Sequence, residues 1–464
     1  MTTVSVEQHT PTQTAVEGGL RTFAIVAGGQ FVSILGSSLT AFALGIWVYQ
    51  QTGSVTLLSL LILAASFPGV LISPLAGAVA DRSDRRRVML ASDSVAGVAT
   101  MVVAALILSG RCELWHLFVL AAISAVANAF QEPAYTASIP LLVPKRHLGR
   151  ASGFAQFSQG LARIITPLIA GTMIATVGIG TVLLVDVTTF LIGVGTLALV
   201  RFPRPVQTEA GVSGKGSLLR EALAGWQYLR ERSGLISLLL LFTAVNFLVA
   251  LVNVLYIPLV LSFASPTTLG VVLTVGGTGM LAGSVGVMAM GVPRRKIPAI
   301  LGLLFLGGIV IATAGIGRSA ALIAASGFAM MCVLPVLQAT SQTFWQIKVA
   351  PDLQGRVFSL RRMLQQASLP AAYLAAGPLA DRLFEPLMRE GGRLADLIGP
   401  WIGVGVGRGI GLMFVVAGMT GCLLATVGYL YPRIRRLDSD LPDMIADTPG
   451  EEVRQRMSAP VGSS

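Results

Sequence analysis

Residues 55–109 read VTLLSLLILAASFPGVLISPLAGAVA, then DRSDRRR, then VMLASDSVAGVATMVVAALILS. Two long apolar runs flank a connector, residues 81–87, that carries two aspartates and four arginines. A helix rises about 1.5 Å per residue, so about twenty apolar residues cross a hydrocarbon layer about 30 Å thick. Inside that layer no water is present to satisfy backbone N–H and C=O groups, and an isolated apolar segment therefore crosses as a helix. The stretch reads as two transmembrane helices joined by a charged turn.

The pattern repeats outward from this pair. Apolar runs lie at 22–50, 55–80, 88–109, 115–142, 151–177 and 179–200, then at 235–262, 268–291, 297–316, 319–346, 363–380 and 408–431. Of the 464 residues 54% are hydrophobic and only 12% are charged, against about 25% charged in an ordinary soluble domain. The expected fold is an all-α membrane protein with twelve transmembrane helices in two pseudo-symmetric six-helix bundles. A tail at 1–20 precedes an N-terminal bundle at 21–200; a linker at 201–234 leads to a C-terminal bundle at 235–431 and a tail at 432–464. Residues 1–20 lack a basic segment followed by an apolar core, so no cleavable leader is expected.

Charge sets the orientation. Of the 33 Lys and Arg residues, 26 fall on the side of the N-terminus and six on the other, with Arg163 inside a helix. The positive-inside rule then places both termini in the cytoplasm of a multi-pass cell-membrane protein. The net charge of +11 is spread over short loops rather than gathered on a soluble face, which argues against a nucleic-acid partner. Cys112, Cys332 and Cys422 are far apart and His9, His116 and His147 form no cluster, so neither a metal site, nor a cofactor, nor an enzymatic activity is expected. The expected partners are a small-molecule substrate, protons and the lipid bilayer, and the chain is expected to be a monomer.

Within the linker, Leu219, Ala222, Leu223, Trp226 and Leu229 recur at helical spacing beside Arg220, Arg230 and Arg232. That pattern predicts a helix lying on the cytoplasmic membrane surface, the alternative being a plain tether. The two halves also resemble each other. A shift of 216 residues superposes Gln30 on Asn246, Ser37 on Asn253 and Thr40 on Tyr256, and shifts of 206–207 bring Gly149-Arg150 onto Gly355-Arg356, Gln131 onto Gln338 and Gly171 onto Gly377. Repeated halves with a binding site at their interface are characteristic of transporters.

The connector Gly77-Ala-Val-Ala-Asp81-Arg82-Ser-Asp84-Arg85-Arg86-Arg87 resembles the loop signature of the major facilitator superfamily, with Asp84 where that family usually has a second glycine. The resemblance implies that Gly77, Asp81, Arg82 and Arg86 take part in a latch between the halves; the alternative is an anchor for orientation. Helix 5 resembles, more loosely, the family's antiporter signature through Gly153, Pro167 and Gly171, which favours export over simple tight packing. The segments FALGIWVYQQTGS, FQEPAYTASIPLLVP, LQGRVFSLRRM and GPLADRLFEP are similar to the exporter group that includes macrolide efflux proteins, the enterobactin exporter and transporters associated with nonribosomal peptide products.

Four ionisable residues fall inside apolar runs: Asp93, Glu132, Arg163 and Asp186. Each needs a reason, because charge in the bilayer is costly. Glu132 stands thirteen residues before Lys145 and Arg163 thirteen after Arg150, so both lie about 20 Å from the cytoplasmic end. If their faces converge they form either a permanent ion pair or a proton-coupling site. Asp186 is a further proton-site candidate or a partner of Arg163, and Asp93, six residues past Arg87, is expected to pair with the basic loop.

Gln30, Ser33, Ser37 and Thr40 share one face of helix 1, as Asn246, Asn253 and Tyr256 share one of helix 7. The resemblance makes these stripes, with Gln131 and Gln338, candidates for the wall of a central substrate cavity; interhelical hydrogen bonds are the alternative. Together these features predict a proton-coupled secondary exporter of a hydrophobic small molecule such as an antibiotic or siderophore. An importer or facilitator of the same fold, or a non-transporting membrane sensor, is the alternative.

Overall fold

The computed structural model describes residues 13–143, 148–200, 230, 232–349 and 354–443. The linker stripe from Leu219 to Leu229 therefore lies outside the described residues, as does His147. Among the described residues the regular structure is helical, without strands.

The helices are α1 (Gln13–Thr52), α2 (Val55–Ala64), α3 (Phe67–Arg82), α4 (Arg85–Leu108), α5 (Leu114–Leu142), α6 (Leu148–Leu199), α7 (Ser233–Leu261), α8 (Pro266–Met290), α9 (Lys296–Ile316), α10 (Ala320–Lys348) and α11 (Gln354–Pro378). A π-helical turn, Leu379–Phe384, leads into α12 (Glu385–Met388), followed by α13 (Ala395–Ile402), α14 (Arg408–Leu430), α15 (Pro432–Arg435) and α16 (Leu437–Asp440). Ten stretches among the described residues are long and apolar enough to cross a membrane. Twelve runs were expected, and the difference has local causes. Gly178, at φ 78 and ψ 168, joins the expected fifth and sixth helices end to end in α6. Helix α11 carries Arg356, Arg361 and Arg362 within its length and falls short in apolarity.

The single helix expected at 55–80 is broken between α2 and α3. Ser66 turns its hydroxyl back onto the Ile62 carbonyl at 2.8 Å, and Pro68, in the first turn of α3, has no N–H to continue the ladder.

The chain divides into two compact units: Met1–Glu209 with Ala264–Thr274, and Ala210–Phe263 with Val275–Ser464. In the first, α1 and the second arm of α6 pack through small residues two turns apart. A Cβ on Gly29 would lie 2.0 Å from the Thr196 hydroxyl, and one on Gly36 would lie 1.9 Å from that of Thr189. Lipid offers no hydrophobic drive to bring helices together, so close backbone contact of this kind supplies much of the packing.

The second unit uses the same device between α9 and α14. The Cβ positions of Gly315 and Gly308 fall 2.2 and 2.7 Å from the carbonyls of Gly411 and Gly418. At its other end Leu235, Ile297, Phe344, Trp345, Ile434 and Leu437 form a shared core. There Lys348, only 5% exposed, donates to the Asp438 carbonyl at 2.8 Å and pairs with Asp443 at 2.7 Å. Residues 432–443, expected as tail, thus fold back onto their own unit.

Candidate functional site

The polar side chains of the first unit gather in two layers between α1, α4, α5 and α6. In one layer Gln30 Nε2 donates to Asp93 Oδ2 at 2.9 Å, and Gln131 Nε2 donates to Gln30 Oε1 at 2.8 Å. Gln30 is only 5% exposed, so its amide is spent joining α4 to α5. In the other layer Ser37 donates to Asp186 Oδ1 and Thr100 to Asp186 Oδ2, both at 3.4 Å. Thr40 lies against the same carboxylate, its buried hydroxyl outside hydrogen-bonding geometry. Asp186 itself is 2% exposed. The layers are in register because Gln30 and Ser37 on α1, and Asp93 and Thr100 on α4, are each seven residues apart, or about 10 Å along a helix.

Two sequence expectations change here. Asp93 binds Gln30 rather than the basic loop, because the first turn of α4 is already served by Asp84 and Asp93 stands two turns deeper. Asp186 takes hydroxyl partners rather than Arg163. Glu132 and Arg163 are both exposed, and among the described residues no ion pair joins them. Counting residues from a turn fixes depth, and equal depth alone does not make an ion pair. Ser33 packs against Gly193, whose Cβ would lie 3.0 Å from that of Ser33. Thr100 was missed, although its seven-residue distance from Asp93 puts it on the same helical face.

The connector has a concrete local role. Asp84 is the N-cap of α4, accepting from the N–H groups of Arg86 and Arg87 at 3.0 and 3.3 Å, which accounts for an aspartate where the family usually has glycine. Arg86 donates to the carbonyls of Leu197 and Ala198 at 3.0 and 2.6 Å, capping the carboxyl end of α6 with the charge that such an end favours. Arg85 reaches the Ala137 carbonyl on α5. The Asp81 and Arg82 side chains and Gly77 lie outside the described set.

The first unit also contains the opening turns of α8, and these meet α6 at its proline. A Cβ on Gly171 would stand 2.4 Å from the Pro266 carbonyl, and one on Gly270 would stand 2.4 Å from that of Pro167. Thr274 donates to the Ile164 carbonyl at 3.1 Å, next to the one that Pro167 leaves without an N–H donor. Gly153 lies within α6.

In the second unit Asn246 is half-buried, while Asn253 and Gln338 are exposed. The Tyr256 hydroxyl donates to the Ile323 carbonyl at 2.9 Å, tying α7 to α10, and its ring lies 5.9 Å from that of Phe414. Outside the apolar spans, buried Glu385 accepts from the N–H groups of Gly407 and Ile410 at 3.2 and 3.0 Å, capping α14. Burial pushes its carboxyl above the ordinary 4.5, opposed by these two donors and by Arg389 and Arg408.

The arrangement is that of a polar seam inside an apolar helical bundle, with exposed polar groups on further spans. Among the described residues no cluster of His, Cys, Asp and Glu could hold a metal ion. The sequence profile of the Major Facilitator Superfamily matches residues 26–373. The chain belongs to this family. It is 26% identical over 371 residues to macrolide efflux protein A of Streptococcus pyogenes, covering 78% of this chain and 90% of that protein. It is 29% identical over 363 residues to the multidrug efflux pump Tap of Mycobacterium tuberculosis, covering 75% and 83%.

Among solved structures, a bacterial homolog of the human lysosomal transporter Spinster, inward-facing and unoccupied, superposes with a TM-score of 0.67 at 13% identity over 93% of this chain and 99% of that one. The D-xylose–proton symporter gives 0.57 at 13% identity, covering 86% and 96%. At these identities the superpositions concern the fold alone. The chain is a multi-pass membrane transporter of the major facilitator type with efflux pumps among its relatives.

Proposed function

We propose that this transporter exports a large, mostly apolar molecule with scattered polar groups from the cytoplasm, driven by proton entry. The observation that carries the reading is the exposure of Glu132 and Arg163 on helices otherwise fit to lie in lipid. Charged side chains on such spans face a water-filled path or another protein surface rather than acyl chains. A carboxylate facing that path can take up a proton on one side and release it on the other, and Arg163 supplies a fixed positive charge.

Asn253 and Gln338, also exposed on apolar helices, offer amides suited to a ligand with a few polar groups. A densely anionic cargo would ask for more basic residues than Arg163. Export is favoured by the efflux pumps among the relatives and by the close approach at Gly171, which the antiporter resemblance anticipates. Twelve crossings follow if the two arms of α6 and the more polar α11 each span the bilayer, and the excess of Lys and Arg then puts both termini in the cytoplasm.

The test is intracellular accumulation of a macrolide and of a lipophilic dye in cells expressing wild type or Glu132→Gln, with and without a protonophore. Wild type should lower accumulation only while the gradient stands, and Glu132→Gln should lose that effect while reaching the membrane in equal amount. Gradient-dependent export that survives in Glu132→Gln removes the carboxylate from the mechanism.

A further inference from the structure

We propose that Asp186, Ser37, Thr40 and Thr100 form a sodium-ion site within the first unit. As a second coupling cation it rests on the transport reading above; as a binding site it stands independently of that reading. The carboxylate of Asp186 is 2% exposed, and among the described residues no cation pairs with it. The charged groups on the elements packed around it are remote or of the same sign. On α1 Arg21 lies sixteen residues before Ser37, about 24 Å by helical rise. On α4 Asp93 stands one layer away, with Arg85, Arg86 and Arg87 at the start of the helix beyond it. On α6 Arg163 is exposed on the other arm. A buried carboxylate with no counter-charge must take up a cation or a proton.

The surrounding oxygens favour a metal cation. Two hydroxyl oxygens stand 3.4 Å from the two carboxylate oxygens, long for hydrogen bonds between oxygens and equally suited to oxygens that share a cation. Neighbouring oxygens around a hard cation with bonds of about 2.4 Å are about 3.4 Å apart. Thr100 can place its proton on the Ala96 carbonyl at 3.3 Å, which turns its lone pairs toward the carboxylate. Thr40, 8% exposed, presents a buried hydroxyl oxygen toward the same group. Backbone approach is close as well, since a Cβ on Gly36 would lie 2.8 Å from Asp186 Oδ1.

One carboxylate and three hydroxyls balance a single positive charge. A calcium site draws on more carboxylates, and magnesium demands shorter bonds, near 2.1 Å. Such a donor set leaves no trace in the spacing of His, Cys and acidic residues, so sequence reading for metal sites passes over it.

The experiment is equilibrium binding of radioactive sodium to the purified full-length protein in lipid nanodiscs, together with thermal unfolding in NaCl against choline chloride at constant ionic strength. Wild type should bind sodium saturably and be stabilised by it, with weaker binding at pH 6 than at pH 8. Asp186→Asn should abolish both effects, and Thr40→Val and Thr100→Val should each weaken binding about tenfold. Because Asp186→Asn can misfold, the two valine variants carry the test independently. Sodium acting no better than choline on wild type, or binding untouched in both valine variants, overturns the site and leaves Asp186 to a proton alone. Sodium binding in a protein that exports nothing would refute the transport reading and keep the site; export without sodium binding would do the reverse.

Discussion

Substitution of Gly315 by alanine should open the seam between α9 and α14. The added Cβ would stand 2.2 Å from the Gly411 carbonyl and 2.8 Å from the Phe414 Cβ. A carbon–oxygen contact relaxes at about 3.3 Å, so the helix axes must part by about 1 Å. A gap of that size forfeits a quarter to a half of each dispersion contact along the seam, and overpacking of this kind costs about 1–3 kcal/mol. Gly302 lies on the same helix with nothing within 4 Å of its Cβ position, so Gly302→Ala carries only the gain in helix propensity of about 1 kcal/mol. The difference between the two variants therefore isolates the seam and should be about 1–3 kcal/mol. Gly308→Ala needs the same separation, so the double variant Gly308→Ala/Gly315→Ala should lose less than the sum of the singles. Reversible unfolding in mixed micelles, followed by tryptophan fluorescence, measures wild type and the four variants. Gly315→Ala as stable as Gly302→Ala, or strict additivity in the double variant, would refute the packing argument.

Asp84→Ala should destabilise the first unit by about 0.5–2 kcal/mol and Asp84→Gly by only a few tenths, since glycine is tolerated at an N-cap; chemical unfolding midpoints would reveal the order. Gln30→Leu removes both partners' hydrogen bonds and leaves the half-buried Asp93 and Gln131 without them, a loss of about 1–3 kcal/mol that should also appear as faster hydrogen exchange in α4. Glu385 sets a pH dependence. Its carboxyl is raised above 4.5 in the folded protein, so below that value both states hold the proton and the group contributes no slope. Above it the unfolded chain ionises first, and the contribution of Glu385 to stability falls as pH rises toward the folded value and is then constant. Thermal unfolding of wild type across this window should show the decline, and Glu385→Gln should flatten it.

The apolar runs were legible because lipid imposes one demand on every segment, and their ends were set by local chemistry that residue types disclose, such as Asp84 and Gly178. The break at Ser66 was less visible, since Pro68 alone is compatible with a continuous kinked helix. Candidate site residues were found by depth and periodicity, which place a side chain along a helix and on one of its faces. The rotation of that face relative to neighbouring helices is decided by packing, here by Gly29 and Gly36 against Thr196 and Thr189. Equal depth did not by itself pair Glu132 with Arg163, whereas the same α1 stripe that suggested a cavity wall delivered Gln30 to Asp93 and Ser37 to Asp186. Thr100 escaped because an isolated threonine in an apolar run is ordinary until the carboxylate opposite it is known.

The proposed activity is movement of an apolar molecule across a membrane at the expense of a proton gradient. Purified protein reconstituted into liposomes with an acidic lumen and a neutral exterior, supplied outside with a radiolabelled macrolide, tests it without cellular background. Molecules oriented with their cytoplasmic face outward should concentrate the label inside beyond the level of protein-free liposomes under the same pH difference, and liposomes bearing Glu132→Gln should match the protein-free level. Label that never exceeds its external concentration in wild-type liposomes, or that accumulates equally without a pH difference, would contradict the account.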